Sequence, residues 1–205
     1  MTEAIVSSDR PRNDLPKVAA AGIVTGLLTP LLVSVIDRLG GTPGHFRIAL
    51  VAVPFAVLVF AVVRRHSADP WRAALTAAIV TMIAFVAAVN SAIFVDGQAD
   101  DLAKMSRNIL SGLTGGLVGA GIMALGAALL PAGPRDFMAW LPMLISGTVT
   151  GALLALDNAL GLDLTSVLYP VWQACVAVGL VTALRGRRPR LAGTIAFADQ
   201  APDGT

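Results

Sequence analysis

The feature that most constrains this chain is a series of long apolar runs separated by short polar breaks. Six runs, 18–36, 46–63, 71–95, 109–130, 138–156 and 164–184, are each about 18 residues or longer, enough to cross a hydrocarbon core as a helix. Hydrocarbon offers no partner for exposed peptide groups, so each run is expected to satisfy its backbone internally as an α-helix. The breaks carry turn chemistry or charge: Gly40-Gly41-Thr42-Pro43-Gly44, Arg64-Arg65-His66, Asp96-Gly97, Pro131-Ala132-Gly133-Pro134 and Asp157-Asn158. The expected architecture is an all-α polytopic membrane protein, a six-helix transmembrane bundle over 18–184 with short loops. It is flanked by a polar tail over 1–17 and a basic tail over 185–205.

Composition agrees with this class. Of 205 residues, 56% are apolar and 14% charged, about half the charge of an ordinary soluble domain. Cys175 is the single cysteine, which excludes a disulfide scaffold. Arginine dominates the 15 basic residues, with Lys17 and Lys104 the two lysines, as expected of a bacterial protein from a GC-rich genome.

Basic residues also set the expected orientation. The tails and the second and fourth loops hold eleven (Arg10, Arg12, Lys17, Arg64, Arg65, Arg72, Arg135, Arg185, Arg187, Arg188, Arg190). The other three loops hold four (Arg38, Arg47, Lys104, Arg107). The positive-inside rule then places both termini in the cytoplasm of a bacterial inner-membrane protein, with the first span a retained signal anchor. The run from Arg185 to Arg190 reads as a topogenic, lipid-facing patch rather than a nucleic-acid site.

Helices in a bilayer associate by close backbone approach and hydrogen bonding rather than by hydrophobic burial. Gly112, Gly116, Ala120, Ala124 and Ala128 recur every four residues in the fourth span, and Gly147 and Gly151 repeat the device in the fifth. Gly22 and Gly26 do so in the first. These faces are expected to form the bundle interior or a contact with a second copy or another membrane protein. The second span, with no glycine and much Val, Phe and Leu, is expected to face lipid most.

The span cores contain no Lys, Arg, Glu or His, which argues against a buried proton relay and against bis-histidine haem ligation. Neither a metal nor a cofactor is expected. The aspartates from Asp96 to Asp101 lack the spacing of an EF-hand loop. Enzyme chemistry is not expected either: no His-Glu-x-x-His, Gly-x-Ser-x-Gly or P-loop occurs, and Cys175 has no histidine at its depth. The remaining polar positions are Asn90, Gln173, Tyr169, Thr29 and Thr148, expected to line a pore or substrate path, or else to bond between helices. Asp37, Asp96 and Asp157 close the three odd-numbered spans as an expected outer acidic rim. Together these features lead to the expectation of a channel or passive transport protein for a small solute or cation. The alternative is a non-catalytic accessory or scaffold subunit of a larger membrane complex. The 96–108 connection, the longest and most charged outside, is expected to carry a short interfacial helix or dock a partner, and 191–198 is a mildly apolar patch in the tail.

Overall fold

A computed structural model describes residues 14–39, 44–67, 70–130, 133–162 and 166–185. The patch at 191–198 and most of the basic tail lie outside them, as do the side chain of Asp37 and the turn at 40–43. The described regular structure is helical: α1 (Asp14–Leu39), α2 (Gly44–Val51), α3 (Val53–His66), α4 (Pro70–Gln98), α5 (Lys104–Ala128), α6 (Leu141–Gly151), α7 (Leu153–Leu160) and α8 (Leu168–Arg185). A single 3-10 turn, Phe137–Ala139, precedes α6.

Five of these segments are long and apolar enough to cross a membrane: Asp14–Ile36, Pro70–Gln98, Lys104–Ala128, Leu141–Leu160 and Leu168–Arg185. The run at 46–63 is not one helix. Pro54 lies in the first turn of α3, and its ring nitrogen has no hydrogen for the carbonyl of Leu50 four residues back. The chain tightens there, with Ala52 N–H donating to Ala49 O at 3.1 Å, and α2 ends. A similar interruption without proline separates α6 from α7, where Ala152 N–H donates to Val149 O at 3.1 Å. Asp157 and Asn158 fall within the last turn of α7, which Gly161 ends in the left-handed region at φ 62°.

The third connection is shorter than its charge suggests. Because α4 runs to Gln98 and α5 begins at Lys104, only 99–103 link them, and no separate interfacial helix forms there. Charged residues read as loop are the first turn of a membrane helix.

Sequence neighbours pack side by side, α3 on α4, α4 on α5, α5 on α6 and α7, and α6 on α8; α8 then returns to lie along α1, which also meets α2 and α3. The result is a closed ring. Trp172 of α8 sits inside it, with its ring edge-on to Phe55 of α3 at 5.8 Å between centroids. Around it, Phe55, Val59, Met143, Val176 and Leu180 are almost fully buried and fill one half of the ring. The 46–63 run, expected to face lipid most, instead supplies core, with Phe55, Val59, Val62 and Val63 of α3 buried. The most exposed span is α4, with 17% of its apolar window buried and Leu75, Ile79 and Ile83 repeating along its outer side.

The glycines lie where helices touch. A Cβ on Gly22 or Gly26 of α1 would overlap the α8 backbone at Ala174 or Pro170. One on Gly112 would overlap the Gly151 carbonyl, and one on Gly151 the Gly112 carbonyl. Gly116 meets the Gly147 carbonyl in the same way. At one end of the ring, Arg185 at the close of α8 pairs with Asp14 at the start of α1 at 3.4 Å. Near the same end, Arg64 lies 4.1 Å over the Trp71 ring, an aromatic–cation pair of the kind found at membrane interfaces.

Candidate functional site

The opposite end of the ring holds a cavity of about 460 Å³ among α4, α5, α6, α7 and α8, a size usual for a small-ligand site. In its wall Phe85 of α4 stacks on Tyr169 of α8, 5.9 Å between centroids and 28° between planes. Below that stack Trp172 and the glycines Gly112, Gly115 and Gly116 form a floor. Phe85, Val89 and Ile93 of α4 make one wall, with Leu154 of α7 and Leu168 of α8 opposite.

One stripe of α5 gives the cavity its polarity. Lys104, Arg107, Asn108, Ser111, Gly112 and Gly115 all line it, at the three- and four-residue spacing that keeps them on one face of a helix. Charge at the mouth gives way to neutral polar groups and then to bare backbone at the floor. Ser111 is 1% exposed, and its Oγ has no hydrogen-bond partner among the described residues. Asn108 is 8% exposed. Arg107 is held by two carboxylates, its Nε 3.1 Å from Asp96 and its Nη1 donating to Asp100 at 2.9 Å. No side chain caps α5, so the positive end of its dipole also lies at the mouth.

The residues singled out from sequence divide among several places. Tyr169 and Asp96 line the cavity. Gln173 and Thr29 do not: both are fully buried and bonded to each other, Gln173 Nε2 donating to Thr29 Oγ1 at 2.9 Å between α8 and α1. Asn90 turns to its own helix, its Nδ2 donating to Val86 O at 2.7 Å, and Thr148 likewise donates to Leu144 O at 2.7 Å. The structure does not gather these five into one path.

Asp157 also stands apart from Asp96. It is buried, accepts from Ser166 Oγ, and accepts from the N–H groups of Val167 at 2.9 Å and Leu168 at 3.2 Å. Those donors open α8, so this carboxylate on α7 caps the next helix from outside, and its lone pairs are engaged there. Of the three expected rim aspartates, the two whose side chains are described are both engaged, Asp157 capping a helix and Asp96 pairing with Arg107.

Sequence reasoning missed Arg107, Asn108, Ser111, Phe85 and Trp172. The signal for the first three was their periodicity with Gly112 and Gly115, hidden by starting the fourth span at Ile109. No known protein family, curated protein or solved structure matches the chain.

Proposed function

We propose that the chain is a six-span bacterial inner-membrane protein with both termini in the cytoplasm, and that it takes a small solute into the cavity from the outer face as part of its transport. The part-polar cavity that opens at the Asp96 end carries this reading. The six-span count rests on α2 and α3 crossing together as one kinked span, and the orientation on the basic residues gathered at the other end. A solute is favoured over a metal cation because Asp157 is engaged by a helix start, and Asp96 and Asp100 by an arginine. Toward the other end Phe55, Val59, Met143, Trp172, Val176 and Leu180 are buried together, so passage there would require α8 and α3 to part around Trp172.

Native mass spectrometry of the protein from its own membrane tests the reading. A non-lipid small molecule should leave with the wild-type protein and be missing from Ser111→Leu, which fills the cavity, at equal abundance and melting temperature. Leu154→Trp serves as a second filled variant if the first folds poorly. A stoichiometric foreign chain with no small molecule would overturn it in favour of an accessory subunit. One observation favours that second reading: an outer groove between α1, α6 and α8, lined by Ala19, Ser146, Ala174 and Gly179, has the small-residue character that admits a partner helix.

A further inference from the structure

We infer that the solute is a small amphipathic anion, its carboxylate or comparable head group at Arg107 and Lys104 and its apolar body reaching down to Trp172. This rests on reading the cavity as a solute site. The polarity of the α5 stripe carries it. From Lys104 to Gly115 the helix rises about 16 Å, passing from two cations through Asn108 and Ser111 to a floor of glycine and indole. Such a gradient matches a molecule that is charged at one end and apolar at the other. A uniformly polar solute would leave the Phe85, Leu154 and Leu168 walls without a match.

The sign of the head group follows from the charges at the mouth. Lys104, Arg107 and Asp96 line the cavity; Asp96 and Asp100 both pair with Arg107, so Lys104 is the cation with no ion pair among the described residues, and the start of α5 adds partial positive charge. Asp100 holds Arg107 from the solvent side, with its side chain 76% exposed against 26% for Arg107, and Asp157 is turned to the start of α8. Deeper in, Ser111 Oγ is buried without a partner, although a hydroxyl enclosed in this way ordinarily has one. A head-group oxygen held at Arg107, one turn away on the same face of α5, would accept from that hydroxyl, and the Asn108 amide can donate to the same group.

The test uses the full chain in nanodiscs of phosphatidylcholine, titrated calorimetrically with 2-naphthoate, 2-naphthamide and 2-naphthylmethylammonium. Naphthoate should bind about tenfold tighter than the amide, the size expected of hydrogen bonds to a charged group, and the ammonium should bind weakest. Lys104→Gln, at an exposed position, should reduce that preference by weakening naphthoate more than the amide. Ser111→Ala should weaken naphthoate while raising the melting temperature of the empty protein, a pairing that a purely structural serine would not give. Equal affinities for the three probes, or an unchanged preference in Lys104→Gln, overturns the anionic head group and leaves the solute-site reading standing. Binding by none of them overturns both. Repeating the naphthoate titration with phosphatidylglycerol in the discs separates the sources: competition by the lipid assigns the anion to the bilayer, and its absence assigns it to the aqueous phase.

Discussion

Gln173 and Thr29, 144 positions apart, share one fully buried hydrogen bond that joins the first helix of the ring to the last. Thr29 uses its own proton on Thr25 O at 3.1 Å, so its oxygen is free to accept from the Gln173 amide. The second end of that amide, Oε1, is buried with no partner among the described residues. The pair therefore fixes how α1 sits against α8, yet the glutamine retains an unmet acceptor.

Two substitutions at this pair should behave unequally. Thr29→Val keeps the shape and removes the acceptor, leaving both ends of the Gln173 amide unpaired, and should cost about 1–2 kcal/mol. Gln173→Leu removes the unmet acceptor along with the donor and leaves Thr29 bonded to its own helix, so it should be close to neutral. Unfolding in detergent micelles measures both. Gln173→Leu should also leave probe binding in the cavity unchanged, since Gln173 does not line it.

Alanine at Gly112 or Gly151 should separate α5 from α6, because each new methyl would overlap the opposing carbonyl. The overpacking cost is about 1–3 kcal/mol and should appear as a lowered melting temperature. Gly121 on the same helix has open space around it, so Gly121→Ala should stabilise by about 0.5–1 kcal/mol. Equal effects at the two positions would mean that helix propensity rather than contact controls α5.

Asp157→Ala should remove the cap of α8 at a cost of about 0.5–2 kcal/mol, and Asp157→Asn, which keeps one acceptor oxygen, should cost less. Hydrogen exchange locates the effect. Protection should fall at Val167 and Leu168 while α5 stays protected. If protection falls uniformly, the carboxylate supports the bundle in some other way than by capping.

Asp96→Asn should tighten naphthoate binding, because it releases Arg107 from one of its two carboxylates. Its effect on stability should be under about 1 kcal/mol, since the Asp96 side chain is 46% exposed and exposed pairs contribute little. Weaker naphthoate binding would mean that Asp96 orients Arg107 rather than competing for it.

Sequence alone exposed most of the helices, because a bilayer-length apolar run leaves the backbone few alternatives. The glycine spacings that it singled out are the positions where α1 meets α8 and α5 meets α6. Two breaks were less legible. Pro54 could be seen but not its consequence, since Pro30 sits inside α1 without ending it. The break at Ala152 has no local marker and occurs where Gly151 presses on Gly112. The cavity was not legible, because its lining is gathered from α4, α5, α6, α7 and α8, segments far apart in the chain. Asp157 shows the same limit. Whether a carboxylate forms a rim or caps a helix depends on which segment returns to it, here 166–168.

The sequential ring has a consequence for biosynthesis. Synthesis delivers α1 first and α8 last, while α1 depends on α8 for the packing of Gly22 and Gly26, for the bond at Thr29 and for the ion pair at Asp14. A nascent chain can therefore assemble its middle helices hairpin by hairpin while the first waits in lipid with its small-residue face uncovered. Closure therefore waits for α8, and a chain stopped before Leu168 would leave Gly22 and Gly26 without the helix on which they pack.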